Sequence, residues 1–261
     1  MVVPVDGGIW LSHFDRERRR DPPSVGNYEI QKTANLTREI TPSKSFVLWS
    51  QIGELEASGV INDEKSRAES HGRSVVWKIY SHDGAGSLST ALAQAGFQSK
   101  PHETLMVFDL TAEIPKRSGS ADVQVHQVSD DAQYQDYVTI DRGAFLATPG
   151  PVAPPREPRP TDPRVGLFVA YVQGAPASIG RVEYEPGQWL AGLFGGGTLP
   201  EFRGHGIYQQ LVRVRADWAR ARGARGLFTE AVDTTSRPIL ERLGFVPIAG
   251  IEPWSWEPPT A

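Results

Sequence analysis

The chain has 261 residues, enough for one large domain or two modest ones, each with its own core. A net charge of -4 and a pI near 5.9 argue against a broad nucleic-acid-binding surface, and the absence of cysteine excludes disulfides and thiolate metal sites. The histidines lack metal-binding spacing, no apolar run approaches the about 20 residues of a membrane span, and the N-terminus lacks the regions of a signal peptide. We therefore expect a cytoplasmic protein without metal, membrane or nucleic-acid partners.

The first half, residues 1 to about 115, has the pattern of an α+β domain. A short helix is predicted over residues 9–20, with a basic cluster that we assign to a solvated face: Arg16, Arg18, Arg19 and Arg20. Apolar and alternating runs predict strands at residues 28–32, 46–49, 74–80 and 104–110. A helix is predicted over residues 88–95 and ends at Gly96.

Residues 115–120 are polar and rich in helix breakers, as is typical of a linker. A strand around residues 123–128 and a helix from about 131 to 146 follow. The segment 149–163 is so rich in proline that it can form neither a regular helix nor a central strand. Two interpretations stay open for it: a stiff surface connection or a functional loop.

Three strands joined by tight turns predict an antiparallel meander at residues 167–172, 177–185 and 189–199. Gly195-Gly196-Gly197 interrupts the third strand, which predicts a bulge or the close approach of another chain. A helix over residues 207–222 follows, with an apolar stripe and several arginines that we expect to be solvated: Arg213, Arg215, Arg220, Arg222 and Arg225. Residues 226–232 form the next strand.

The turn between the third strand and this helix has the pattern of an anion site. Glycines let the backbone approach an anion closely, and the first N–H groups of a helix together with its dipole attract negative charge. The residues are Arg203-Gly204-His205-Gly206-Ile207-Tyr208. They resemble the pyrophosphate loop of the GNAT superfamily of N-acetyltransferases, Arg/Gln-x-x-Gly-x-Gly/Ala, although Tyr208 stands where a small residue is usual. An ordinary turn before a surface helix is the alternative.

A second motif, residues 233–245, resembles the closing helix of that family. Leu243-Gly244-Phe245 matches the family pattern, while Asp233 and Ser236 stand at the positions of an Asn and an Ala. Leu240 stands where the family often has a tyrosine that protonates the departing CoA thiolate, and leucine cannot donate a proton. The two motifs lie in the family's order and cover roughly residues 165–250.

The resemblance implies an α/β (α+β) fold with a mixed, mostly antiparallel sheet flanked by helices. It also implies that acetyl-CoA, as co-substrate, binds the loop and the strand before it, where the pantetheine arm fills the gap between two splayed strands. The cofactor-binding residues implied in this way are Gly197, Thr198, Leu199, Arg203, Gly204, His205, Gly206, Ile207, Tyr208, Asp233 and Ser236. In this family the segment at 149–163 usually shapes the acceptor pocket.

A short internal similarity indicates two tandem GNAT-like domains. Residues 92–97 and the end of the second motif both read as a short helix followed by Gly-Phe and a strand, 148 residues apart. Residues 55–60 lie 148 residues before the phosphate loop and thus stand at the corresponding position of the first half. They could not bind pyrophosphate. We therefore predict a degenerate, non-catalytic domain at 1–115 and an acetyltransferase domain at 121–261. An unrelated α+β domain is the alternative for the first half.

The implied reaction is direct transfer of an acetyl group to a primary amine of a small molecule or peptide. It needs a proton acceptor, for which Glu183 is favoured over Glu185, and backbone N–H groups near Leu199 that polarise the thioester carbonyl. Exposed strand charges are the alternative for both glutamates. Tyr208 or Ser236 could protonate the thiolate, or the thiolate could leave unaided. Two further functions stay open: an acyl-CoA-binding regulatory module without efficient catalysis, and transfer of another acyl group. The acidic balance favours a cationic acceptor.

Overall fold

A computed structural model describes residues 6–25, 28–84, 86–115, 123–145 and 161–259. The predicted linker and most of the proline-rich segment lie outside these ranges. The described residues form two compact units, one from 6–107 with 230–259 and the other from 108–229. The predicted domains follow chain order, whereas contacts group residues 230–259 with the N-terminal residues. The boundary at 115–121 stays a prediction.

The first unit is a mixed sheet with helices, and most of its strand pairs are antiparallel. Its strand order is β1-β2-β3-β4-β12-β6, with β5 also on β12, and only β3 and β4 are parallel. Labels follow chain order. Its elements are α1 (Gly7–Phe14), β1 (Glu29–Lys32), β2 (Leu36–Ile40), β3 (Lys44–Ser50), α2 (Glu54–Glu69), β4 (Ser74–Tyr80), α3 (Gly86–Gln94), β5 (Gln98–Ser99), β6 (Glu103–Asp109), α6 (Arg237–Arg242) and β12 (Val246–Trp256).

Strand β12 explains why the C-terminal residues belong to this unit. It pairs with β4 from Ile251 to Trp256 and with β6 from Val246 to Ile251. The sequence predicts a strand after Gly244-Phe245 but not its length, because Pro247 and Gly250 interrupt the strand pattern. Trp77 on β4 is fully buried, and the core around it includes Ile61 of α2 and Leu92 of α3.

Helices α3 and α6 end in the same way. Gly96 and Gly244 have φ angles of 87° and 93°, which a residue with a side chain rarely adopts. The N–H of the following phenylalanine donates to the carbonyl five residues earlier, at 3.0 Å in both cases, from Phe97 to Leu92 and from Phe245 to Leu240. This is the Schellman motif. The sequence similarity between the two segments thus corresponds to a repeated helix ending.

The prediction that the arginines of the first helix are solvated is wrong for Arg18 and Arg19, which are buried. The chain continues α1 as a π-helical segment, Asp15–Arg20, and Arg19 is only 2% exposed. Its guanidinium donates to Asp83 and Asp15 at 2.7 Å and lies 4.0 Å from the centre of the Tyr80 ring. Two carboxylates and an aromatic face compensate the buried charge. Asp15 is a local partner, four residues away, but Asp83 and Tyr80 are distant in sequence, so no local pattern predicts the burial.

Asp15 makes the stability of this unit depend on pH. Burial alone would raise its pKa, but hydrogen bonds from His82 and Arg19 outweigh burial and lower the pKa below 3.8. A carboxyl whose folded-state pKa is depressed stabilises the fold above its unfolded-state pKa and loses this contribution as pH falls through the folded-state pKa. We expect Asp15→Asn to be destabilised near neutral pH and to approach the wild type as pH falls below the ordinary Asp pKa of 3.8 and through the depressed one. Urea midpoints across pH check this, and a constant difference between the two chains would contradict it.

The second unit contains the predicted meander and two helices. Its strand order is β11-β10-β9-β8-β7, and only β10 and β11 are parallel. Gln173 and Gly174 both have positive φ in the turn between β8 and β9, as a tight hairpin requires. Its elements are β7 (Val123–Gln127), α4 (Asp131–Phe145), β8 (Val165–Val172), β9 (Ala175–Glu183), β10 (Leu190–Thr198), α5 (Ile207–Arg220) and the start of β11 (Gly226–Val232), whose last three residues are grouped with the first unit.

Candidate functional site

Strands β10 and β11 are paired at one end only. Their parallel register joins Leu190, Ala191 and Gly192 to Gly226, Leu227 and Phe228, and it stops there. At this point the Thr229 hydroxyl donates to the carbonyl of Leu193 at 3.0 Å. The rest of β10, up to Thr198, has no register partner on β11. The resemblance implies a gap at this point, and the edge of β10 that would face it, from Leu193 to Thr198, lies in the unit 108–229.

The glycine triplet lies on the open part of β10 and forms the predicted bulge. Pairing with β9 changes register between Phe194 and Gly197, and Gly195 has a φ of 55°. Glycine is required at the other two positions by close neighbours. A Cβ on Gly196 would lie 2.7 Å from the Tyr208 ring, and one on Gly197 would lie 2.8 Å from the Phe145 ring.

The predicted phosphate loop has the geometry of an anion cradle. A short 3₁₀ turn, Pro200–Phe202, leads into Gly204 and Gly206, which have φ angles of 81° and 76°. Gly206 is the N-cap of α5, no side chain caps the helix, and its first turn holds no acidic residue. A Cβ on Gly204 would meet no atom within 4 Å. Uncapped N–H groups at a helix start, without negative charge nearby, suit a phosphate.

The other loop residues fix this cradle to the strand. Arg203 donates from Nε to the Thr198 carbonyl at 3.0 Å, and its exposed Nη2 lies 3.4 Å from the Ala144 carbonyl. The Nδ1 of His205 lies 3.3 Å from the Phe202 carbonyl. Ile207 is buried and anchors the first turn of α5 in the core. Hydrogen bonds and the burial of Ile207 thus hold the loop 203–208 between the end of β10 and the start of α5.

The end of β10 is bonded on the side that faces β9. The Leu199 N–H donates to the Ala177 carbonyl at 3.0 Å. The Ser178 hydroxyl donates to the Gly197 carbonyl at 2.7 Å and also contacts the Thr198 hydroxyl. The Leu199 N–H is therefore already engaged and is not free for the thioester carbonyl, the role that the resemblance implies for it.

The structure places Asp233 and Ser236 in the first unit. Asp233 accepts a hydrogen bond from the Thr104 hydroxyl at 2.5 Å, and its Oδ1 lies 3.4 Å from Nη1 of Arg237. Ser236 precedes α6 and makes no capping side-chain bond. Leu240, at the position where the family often has tyrosine, is fully buried. Asp233 thus has protein partners of its own.

Glu183 is a buried member of an ion pair. It is 7% exposed, and its Oε1 lies 3.1 Å from Nε of Arg181, whose guanidinium stands over the Phe194 ring. In the β9–β10 register it lies opposite Gly192, the last residue of β10 that pairs with β11. It therefore lies next to the closed end of the gap and is not an exposed strand charge. Glu185 pairs with Arg164 at 2.7 Å.

Arg215 was expected to be solvated, and this prediction is wrong. The side chain is 1% exposed and lies across Gly180 of β9, where a Cβ would come within 2.7 Å of its guanidinium carbon. Its Nε donates to the Leu211 carbonyl at 3.1 Å and its Nη1 to the Arg181 carbonyl at 3.2 Å. Burial lowers its pKa, which the Tyr208 and Tyr137 side chains oppose. One sequence feature could have indicated this burial: Gly180, a glycine within a strand, which leaves room for the Arg215 side chain.

Two observations bear on the other expectations from composition. Within the described ranges no helix is long and apolar enough to cross a bilayer. In the same part of the chain, no three His, Cys, Asp or Glu side chains are grouped so that they could hold a metal ion.

The strand pair that opens after Gly192 and the uncapped, glycine-led helix are the two features that the resemblance implies for a GNAT domain. The model of the Acetyltransferase (GNAT) family matches residues 132–245. The chain therefore carries a GNAT-family domain over these residues. A search of curated protein sequences gave no significant match.

Solved structures share the fold along nearly the whole chain. A GCN5-related N-acetyltransferase from Kribbella flavida is 14% identical, with a TM-score of 0.67 over 99% of this chain and 98% of that one. A conserved protein of unknown function from Staphylococcus epidermidis is 17% identical, with a TM-score of 0.65 over 94% and 100%. A tandem GNAT protein from the clavulanic acid biosynthesis pathway is 14% identical, with a TM-score of 0.57 over 100% and 98%. The predicted fold class is confirmed.

Proposed function

We propose that the protein is an acetyl-CoA-dependent N-acetyltransferase that acetylates a primary amine of a small molecule or peptide directly. One observation carries this proposal: in a GNAT-family domain, the gap between β10 and β11 opens beside the uncapped start of α5. A diphosphate fits the uncapped start of α5. An extended arm that carries amide groups fits the unpaired edge of β10. The start of α5 and the unpaired part of β10 both lie in the unit 108–229.

Each part of the site has a separate task. The N–H groups of residues 204–208 would bind the diphosphate, and Arg203 holds this loop against the end of β10. The backbone at Gly197–Leu199 would bond the pantetheine arm as an added strand. A carbonyl such as that of Thr198 can accept a second hydrogen bond besides the one from Arg203. Holding the amine and the thioester together supplies much of the rate.

Release of free thiol in the presence of amines tests the proposal. The wild-type chain is mixed with acetyl-CoA and a panel of primary amines and short peptides, cationic ones included, and the thiol and the acetylated product are measured. We expect amine-dependent thiol release with a matching amount of amide. If acetyl-CoA binds without amine-dependent release, the regulatory binding module becomes the better account. Leu240 and the paired state of Glu183 are the observations that favour this second function. If acetyl-CoA does not bind, both functions are excluded.

Glu183→Gln tests the proposed proton acceptor. We expect kcat/KM for the amine to fall by about 100-fold, because general base catalysis contributes at least that much. The affinity for acetyl-CoA should stay within about threefold of the wild type, because we assign Glu183 to the amine and not to the cofactor. Glu185→Gln is the matched control, since it also removes a carboxylate that is paired with an arginine. Equal losses in both variants would contradict a specific role for Glu183.

A further inference from the structure

The Arg215 guanidinium is a buried cation without a carboxylate partner in the described part of the chain. Its Nη2 has no hydrogen-bond partner there, while Nε and Nη1 are bonded to backbone carbonyls. A buried charge is costly unless it is paired or fully hydrogen-bonded. A solvated arginine would avoid this cost, so the buried position calls for a further explanation.

Two tyrosine side chains, Tyr208 and Tyr137, interact with this cation, and Tyr208 is the one that hydrogen-bonds to it. The guanidinium carbon lies 5.8 Å from the centre of the Tyr208 ring, and the Tyr208 side chain interacts with it as a hydrogen-bonding group. Tyr208 is only partly buried. A phenolate formed there would supply the negative charge that Arg215 lacks.

The Tyr208 ring also packs on the part of β10 that is not paired with β11. It packs on Gly196, within the part of β10 that has no register partner on β11. Its hydroxyl would lie 3.5 Å from a Cβ built on Gly196. The hydroxyl is therefore on the strand along which we propose that the thiol-bearing arm lies. Tyr208 follows directly after Ile207, whose burial fixes the first turn of the helix.

We propose that the Tyr208 hydroxyl donates the proton to the leaving thiolate, and that Arg215 is the positioning residue that holds this hydroxyl and stabilises its phenolate. The inference rests on the proposed acetyl transfer. The amine nitrogen forms a bond to the carbonyl carbon, and the tetrahedral intermediate then breaks its C–S bond, whose electron pair goes to sulfur. The Tyr208 proton moves to this sulfur and gives a free thiol. The nitrogen loses two protons in all: Glu183 accepts one and passes it to solvent, and the other passes through water to the phenolate and restores the Tyr208 hydroxyl.

A change of leaving group separates proton donation from a structural role. The rates of wild type and Tyr208→Phe are compared with acetyl-CoA and with its oxygen-ester analogue, whose alkoxide is a far more basic leaving group than a thiolate. We expect Tyr208→Phe to lower kcat by about 10-fold with the thioester and by at least about 100-fold with the oxygen ester, the usual range of general acid catalysis. The Kd for CoA should change by less than about threefold, because the ring stays packed on Gly196.

Three further variants complete the test. Tyr171→Phe is the matched control, since it removes a phenol that donates to Asp136 in the same unit at 2.8 Å. Arg215→Met should lower kcat as Tyr208→Phe does, and Arg215→Lys should restore part of it, because lysine returns a cation. The inference alone is wrong if the wild type acetylates amines and Tyr208→Phe keeps its rates with both acetyl-CoA and the oxygen ester. It is also wrong if Tyr208→Phe lowers the two rates by the same factor. If the wild type acetylates no amine, the proposed function falls with it.

Discussion

Gly204→Trp is expected to weaken the binding of acetyl-CoA by about 100-fold or more. Gly204 has a φ of 81° and open space where a Cβ would be, directly before the uncapped start of α5. A large side chain there occupies the space through which a diphosphate would reach the N–H groups. Hydrogen bonds to charged groups contribute about 1.5–3 kcal/mol each, so losing two of them accounts for a change of this size. Calorimetric titration of acetyl-CoA measures it.

Gly174→Trp is the matched control for this experiment. Gly174 has a φ of 83° and equally open space at its Cβ, but it lies in the turn between β8 and β9. Both variants therefore carry the same backbone strain, about 1–2 kcal/mol for a side chain in this conformation. We expect Gly174→Trp to lower stability in the same way and to leave the affinity for acetyl-CoA near that of the wild type. Similar affinities in both variants would contradict the assignment of the loop.

Arg38→Met is expected to reduce the free energy of unfolding by about 3–5 kcal/mol. Arg38 on β2 and Glu64 on α2 are both 4% exposed, and their Nη2 and Oε1 atoms lie 3.0 Å apart. Burial already raises the Glu64 pKa, and Arg38 opposes this. Without Arg38 the buried carboxylate keeps only Arg67, whose half-exposed side chain places Nε 3.9 Å from Oε1. Because the neutral acid is then favoured in the folded state, we expect the loss of stability to diminish as pH falls. Urea unfolding measures the effect.

A double-mutant cycle distinguishes this explanation from simple loss of packing. Arg38→Met together with Glu64→Leu removes both charges and keeps similar side-chain volume. Replacement of a buried pair by apolar residues is often neutral or stabilising. We therefore expect the double variant to be more stable than Arg38→Met alone and close to the wild type. A double variant that loses the sum of both single effects would show that the charges do not interact in this way.

Local sequence signals predicted most of the second unit. The turn residues Gln173 and Gly174, the glycine triplet and the loop at 203–208 each have a conformation that few other residues adopt, so their positions could be read directly. The open strand pair was accessible only through the family resemblance, because a gap leaves no pattern of its own.

The first unit was harder to predict, because its core-facing positions include charged and small residues. Helix α2 buries Ala57, Ile61, Glu64 and Ala68 at helical spacing, but the glutamate and the alanines give no strong apolar stripe. Strand β2 buries Thr37 and Arg38 and reads as polar. Neither element was predicted. The pairing of β12 with β4 joins residues far apart in the chain, and no local pattern encodes such a pair.

Arg215 shows the same limit within the site. An arginine that stands among other arginines on a helix is solvated in most proteins, so the sequence predicts an exposed Arg215. Its burial depends on Gly180, on a strand 35 residues earlier, and on Tyr208, about two turns earlier on the same face of α5. Tyr208 was noticed only as a departure from the family pattern. The structure connects the two departures, since the tyrosine lies beside the buried arginine.

A crystal structure of the chain with CoA bound tests the central claim most directly. We predict that the diphosphate accepts hydrogen bonds from the backbone N–H groups of residues 204–208. We also predict that the pantetheine arm lies along Gly197–Leu199 between β10 and β11, with its sulfur near the Tyr208 hydroxyl. CoA bound elsewhere on the chain, or β10 and β11 paired along their full length in the complex, would contradict the account.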